Sequence, residues 1–272
     1  MADSLPDPFG TAELRRRVLD AWTASPARFR EDANAEEDYA LGGYRDRVVV
    51  ELAQNAADAA ARGGVAGRLR LALSAGTLVA ANTGAPLDAA GVAALSTLRA
   101  SSKRGTDARE TAVGRFGVGF AAAVAVSDEP RISSVTGAVA WSRSAARDLV
   151  GGIPALAAEF AGRSGHLPVL RLPFAAGDRP PEGFTTAVTL PLRDEAARRL
   201  TERLLAETGA ALLLALPALA IIEIEMDGST RVLTAAHDGD GVTITTDGAA
   251  GRWRTASAGG RTDPRLDRKS VV

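Results

Sequence analysis

A chain of 272 residues is long enough for one large domain plus part of a second. Its 46% hydrophobic and 24% charged residues supply a real core beneath an ordinary soluble surface. A net charge of -1 excludes a bulk basic field for nucleic acid, and the lack of cysteine excludes disulfides and thiolate metal sites.

Met1 to Pro8 is polar and acidic, unlike a signal peptide. The most apolar run, Ala210 to Ile222, is too short for a membrane span and contains Pro217. A cytoplasmic protein with no membrane and no nucleic-acid partner is expected. Thr11 to Ala24 reads as a helix, with Thr11 as its N-cap and Leu14, Val18, Leu19 and Trp22 at helical spacing. Ser25 to Asp38 is polar and acidic and reads as a surface loop. A helix then runs from about Gly42 to Arg62, ended by Gly63-Gly64. Along it Glu51, Asn55 and Asp58 stand at i, i+4 and i+7, within a sector of roughly 60°. One stripe thus carries a carboxylate, an amide and a second carboxylate. Taken alone, this is also what a plain amphipathic helix turns toward water.

Arg68 to Ser74 and Thr77 to Ala81 read as strands joined by a hairpin at Ala75-Gly76. Asn82 to Leu87 is a turn, and Asp88 caps a short helix to Leu95. Thr97 to Thr111 is a polar loop containing Lys103 and Arg104. Gly114-Arg115-Phe116-Gly117-Val118-Gly119-Phe120 opens an apolar helical run to Val126. Glycines there let backbone N–H groups point at an anion, which the helix dipole favours. The glycine order is not that of a dinucleotide fold, and no Walker A motif occurs.

Strands are expected at Arg131 to Thr136, Ala138 to Ser142, Pro168 to Phe174 and Thr185 to Leu192, with a helix over Ala145 to Phe160. Asp194 caps a helix running to about Ala215, with Gly209 inside it. Four further strands follow, Leu219 to Met226, Arg231 to Ala235, Val242 to Thr246 and Arg252 to Ala256, with Asp-Gly turns at Asp227-Gly228 and Asp247-Gly248. His166 and His237 have no metal-ligand or triad partner at useful spacing. The division expected is a first domain at 1–215 and a partial β-rich domain at 216–266. Residues 267–272, Asp-Arg-Lys-Ser-Val-Val, match what a sequencing adapter encodes before a stop codon. They are expected to be a non-native tail on a natural chain that continues.

Glu51-x-x-x-Asn55-x-x-Asp58-Ala59, Asn82-Thr83-Gly84-Ala85-Pro86-Leu87 and Gly114 to Phe120, in that order, resemble the three boxes of the GHKL ATPase superfamily. The match is to the branch of the ninety-kilodalton heat-shock chaperone, and within it to bacterial proteins with a sacsin-like N-terminal ATP-binding domain. The resemblance covers residues 1 to about 200. It implies an α+β two-layer sandwich, a mixed, mainly antiparallel sheet with helices on one face. It implies ATP and Mg²⁺ as cofactors. Asn55 would hold Mg²⁺, and Glu51 would orient and deprotonate the attacking water. Gly114, Arg115, Phe116, Gly117, Val118, Gly119 and Phe120 would bind phosphate. Lys103 and Arg104 would lie in an ATP lid as candidate phosphate contacts. Asp58, Asn82, Gly84 and Thr186 would surround the adenine, with Leu87 packed on the ring. Thr186 reads equally as a strand threonine selected for β-branching.

Asn82 stands where the family has an aspartate; it can accept a hydrogen bond but is neutral and carries its own donors. In the same light Ser25 to Asp38 has a second reading, an arm near the nucleotide or a partner subunit. The implied function is slow Mg-dependent ATP hydrolysis in a chaperone-like protein. A protein client, or self-association through a missing C-terminal part, would be its partner. The alternative is a non-hydrolysing nucleotide-sensing or scaffold module.

Overall fold

The computed structural model describes residues 5–41, 45–97, 120–163, 166–239 and 241–254. Two helices open the chain, α1 (Thr11–Ala24) and α2 (Pro26–Leu41). The N-cap of α1 is Gly10 rather than Thr11, and the Asp7 carboxylate accepts the first amides, the N–H of Thr11 at 2.8 Å and of Ala12 at 3.0 Å. The segment after Ser25, expected as a loop or an arm, is helical instead. Pro26 occupies the first helical position, where its missing N–H costs nothing. Phe29, Ala33 and Glu36 then recur on one buried face, with Phe29 edge-on to Trp22 at 5.1 Å.

A 3-10 turn (Arg45–Arg47) leads into α3 (Val48–Gly63), which Gly64 ends in the left-handed conformation. The hairpin β1 (Gly67–Ser74) and β2 (Thr77–Asn82) turns at Ala75 and Gly76, both at positive φ, as a tight primed turn requires. Helix α4 (Ala89–Thr97) starts where Asp88 Oδ1 accepts the Gly91 N–H at 2.7 Å. Helix α5 (Ala121–Val126) is buried throughout. Strands β3 (Arg131–Ser134) and β4 (Gly137–Ala140) follow. The single helix expected over Ala145 to Phe160 is two, α6 (Arg143–Gly151) and α7 (Pro154–Gly162), parted at Gly152 with Pro154 opening the second.

The strand expected at Pro168 to Phe174 is a 3-10 turn (Val169–Arg171) followed by the short β5 (Phe174–Ala176). The amides of Val169 and Leu170 bond to the Glu36 carboxylate, not to a neighbouring strand. Beyond β6 (Thr186–Pro191), Asp194 caps α8 (Glu195–Glu207) through the Ala197 N–H at 2.7 Å. The helix expected to run to Ala215 is two, parted at Thr208-Gly209 before α9 (Ala210–Ala215). Strands β7 (Leu219–Met226), β8 (Ser229–Asp238), β9 (Gly241–Thr246) and β10 (Ala249–Arg254) complete the described residues.

All ten strands form one mixed sheet in the order β10-β9-β8-β7-β1-β2-β6-β3-β4-β5. Among the described residues β1 with β7 is its parallel pair, and the other pairs are antiparallel. The residues after Leu216 therefore run on in the same sheet as those before it. Along β1, buried Leu69, Leu71 and Leu73 alternate with half-buried Arg68, Arg70 and Ala72. Helix α3 packs on β1, β2 and β7. Arg68 reaches Glu223 on β7 with two hydrogen bonds of 3.0 Å, and the guanidiniums of Arg68 and Arg70 lie over the Phe184 ring.

Leu71 is fully buried near the centre of the sheet. Leu71→Ala is expected to cost about 2–5 kcal/mol, read as a lower urea midpoint with an unchanged slope. A loss within error of zero would remove Leu71 from the core.

Candidate functional site

Glu51, Asn55 and Asp58 lie on successive turns of α3, but their surroundings diverge. Glu51 is 9% exposed, Asn55 is half-buried and Asp58 is exposed. Glu51 and Asn55 share a narrow crevice, without room for a water molecule, with Val48 and Leu52 of α3 and with Phe120, Ala122 and Ala123 at the start of α5. Asp58 is not part of its lining. Burial beside these apolar side chains pushes the Glu51 carboxyl above its ordinary value, and the Arg47 guanidinium opposes the rise. Arg47 Nε lies 3.4 Å from Glu51 Oε1. A carboxylate raised in this way is a better proton acceptor than one in water.

A second group forms where three neighbouring strands end. Asn82, the last residue of β2, stands opposite Thr186, the first of β6, and Thr186 stands opposite Ser134, the last of β3. Ser134 Oγ lies 3.1 Å from Thr186 Oγ1 and accepts the Leu87 N–H at 3.1 Å. Thr136 Oγ1 donates to the Leu87 carbonyl at 2.6 Å. Leu87 is thereby pinned beside Thr186 by Ser134 and Thr136, neither of which the sequence singled out. No local signal marks Ser134, since its strand Arg131–Ser134 has Ile132 alone as an apolar residue. Asn82 is 8% exposed, and its Nδ2 donates to the Thr83 carbonyl at 3.0 Å.

Gly84 joins the two groups. Its φ is 119°, and a Cβ there would stand 2.4 Å from the backbone carbon and oxygen of Ala59 in α3. The next residue, Ala85, donates its N–H to the Ala59 carbonyl at 2.8 Å. Gly63 returns the contact: a Cβ on it would meet Ala85 N at 2.8 Å. Glycine is thus required at 84 by the approach of this loop to α3, whatever ligand lies nearby.

The structure therefore gathers Glu51, Asn55 and Phe120 at one crevice, and Asn82, Thr186 and Leu87 at the strand ends. Lys103, Arg104, Gly114, Arg115, Phe116, Gly117, Val118 and Gly119 lie outside the described residues, as do residues 267–272. Among the described residues no three His, Cys, Asp or Glu side chains converge on a common point. A divalent ion held at Asn55 would rest on one amide oxygen and on oxygens brought by its ligand. That donor set suits Mg²⁺, which keeps waters and phosphate oxygens in its shell. A larger cavity of about 350 Å³ lies against Val124 and Ala125 of α5, lined by Glu36, Glu37, Arg143, His166 and Arg193 among others. No protein-family model matches this chain, and no curated protein matches it.

Two outcomes check this geometry. Gly84→Ala is expected to lose about 2 kcal/mol or more, because backbone must move to admit the methyl; an unchanged thermal midpoint would contradict the close contact. Glu51→Gln is expected to stabilise the protein at neutral pH. The folded state holds the Glu51 proton more tightly than the unfolded chain, so the buried carboxyl lowers stability as pH rises out of the ordinary carboxylate range. The gain should shrink toward about pH 4. Thermal unfolding of both proteins at the two pH values measures it, and a gain independent of pH would contradict the burial.

Proposed function

We propose that this chain is the ATP-binding module of a GHKL-type protein in the heat-shock chaperone branch, similar to sacsin-like N-terminal domains, and that it hydrolyses ATP slowly. The observation that carries this reading is the pairing of a buried Glu51 with Asn55 one turn on, in a crevice closed by Phe120. In this reading the sheet and its helices form the two-layer sandwich of the family. Adenine lies by Asn82, Thr186 and Leu87, with Asp58 at the outer end of the same helix. The phosphates lie by Gly114 to Phe120 and Lys103.

Glu51 takes the proton of the attacking water, and its apolar neighbours Val48, Leu52 and Phe120 keep bulk water from competing for the carboxylate. Asn55 offers its side-chain oxygen one turn from the base, where it would hold Mg²⁺ beside the carboxylate that accepts the proton of water. Mg²⁺, when bound, neutralises phosphate charge and orients its oxygens. Gly84 holds the adenine-side loop at a fixed distance from α3. A client protein or a second copy would be the partner, and a cytoplasmic location follows from the same reading. No described helix is long and apolar enough to cross a membrane.

The alternative, a nucleotide sensor that does not hydrolyse, draws support from Asn82, a neutral residue whose amide is already bonded to Thr83. Glu51 favours hydrolysis, since a binding site alone has no use for a buried base. Glu51→Ala is expected to keep ATP binding and to abolish phosphate release, with wild-type turnover below about 1 s⁻¹. Lost binding in a folded Glu51→Ala protein, or faster wild-type turnover, would contradict these roles.

A further inference from the structure

The cavity of about 350 Å³ at the last turn of α5 is separate from the Glu51 crevice, and the proposed reaction has no use for it. Phe120, Ala122 and Ala123 wall the crevice, whereas Val124 and Ala125 line the cavity. Ala33 of α2, Leu167 before the 3-10 turn and Ala197 of α8 complete its apolar wall. Alanine at three of these five positions leaves the space open. A cavity of this volume stands at the lower end of small-molecule sites.

The charges that line the cavity are not matched in place. Glu36 of α2 is buried, and its Oε1 accepts the Val169 N–H at 2.7 Å and its Oε2 the Leu170 N–H at 3.0 Å. Each oxygen keeps a lone pair to spare. No cation among the described residues forms an ion pair with Glu36. Arg171 is paired with Asp32, and Arg163 with Glu37, which His166 also approaches. Burial pushes the Glu36 carboxyl up to about 7, with the two amides, Arg171 and Arg143 pulling the other way, as befits a charge left unanswered. On α6 and before α8 the excess is positive, since Arg143 and Arg193 share the one carboxylate of Asp128. Arg193 gives its other nitrogens to the carbonyls of Val124 and Ala125. Arg143 spends its Nε on Asp128 at 2.7 Å, and its two terminal nitrogens make no hydrogen bond among the described residues. Glu129 is engaged by the Ser142 hydroxyl and lies outside the lining, and Asp194 is engaged in capping α8.

We propose that this cavity binds a small zwitterion, a free α-amino acid with a small apolar side chain, its ammonium on Glu36 and its carboxylate on the terminal nitrogens of Arg143. Arg143 acts on Glu36 through its charge but forms no ion pair with it, so a molecule charged at both ends spans the gap between them. The ammonium brings three donors to the spare lone pairs of Glu36, and the carboxylate fits the fork that Arg143 leaves open. Both charges are then answered at once, which neither a simple amine nor a simple acid achieves. The apolar wall takes the side chain. No residue of this site belongs to the Glu51 crevice or to the strand ends, so amino-acid binding and ATP binding stand or fall separately.

The test is calorimetry of L-valine against the full chain at about pH 8, where Glu36 is ionised. Isobutylamine and isovalerate, which carry the side chain of valine with one charge each, are titrated alongside. L-Valine is expected to bind with a millimolar or tighter Kd, and each single-charge probe about tenfold or more weakly. Arg143→Gln and Glu36→Gln are each expected to weaken L-valine binding about tenfold or more. No binding of L-valine at millimolar concentration would overturn the site. So would isobutylamine or isovalerate binding as tightly as L-valine, or unchanged binding by Arg143→Gln, and these outcomes decide the question even if Glu36→Gln does not fold.

Discussion

The candidate site depends on a contact made without side chains. The loop after β2 lies against α3 so closely that Gly84 leaves no space for a methyl beside Ala59, and the Ala85 amide bonds to the Ala59 carbonyl. That approach sets the distance between the helix bearing Glu51 and Asn55 and the strand ends bearing Asn82 and Thr186. Small residues make it possible on both sides, since Ala53, Ala56, Ala57, Ala59 and Ala60 are all buried in α3. Placing the functional groups on a helix and on the ends of paired strands gives them a rigid support. Ser134 and Thr136 then fix Leu87 by bonds to its backbone and not to its side chain.

Around this contact the apolar and polar parts of the interior divide the work. The leucines of β1 and the residues of α3 that cover them supply non-directional burial. Direction comes from a small polar framework at the other end of the core, where Trp22 and Arg171 both donate to Asp32, and Arg171 goes on to Ser96. Arg193 has a similar task at α5: it donates to the carbonyls of Val124 and Ala125, which the end of a short helix leaves unpaired. Removing one member of such a set strands its partners in a dry interior, so these residues specify arrangement more than they add stability.

What the sequence made legible was local. The Asp194 cap, the primed turn at Ala75-Gly76 and the Asp-Gly turns at Asp227 and Asp247 are set by residues within a few positions of one another, and all are present. The stripe of α3 was legible for the same reason, yet its split into a buried Glu51 and an exposed Asp58 was not, because the helices that cover one end of it come from elsewhere in the chain. Helix α2 was missed since its buried face includes Glu36, which periodicity alone reads as facing water. Pro168 to Phe174 looked like a strand because nothing local shows that the Val169 amide is met by a side chain 133 residues earlier. Gly84 was legible as important, but the neighbour that demands it is α3.

Calorimetry of Mg·ATP against the wild-type protein and against Asn55→Ala tests the central claim most directly. Wild type is expected to bind, more weakly when Mg²⁺ is chelated, and Asn55→Ala, still folded, is expected to bind about tenfold or more weakly. A folded wild-type protein that takes up no heat with Mg·ATP, or an Asn55→Ala protein that binds as wild type does, would contradict a nucleotide site built on α3.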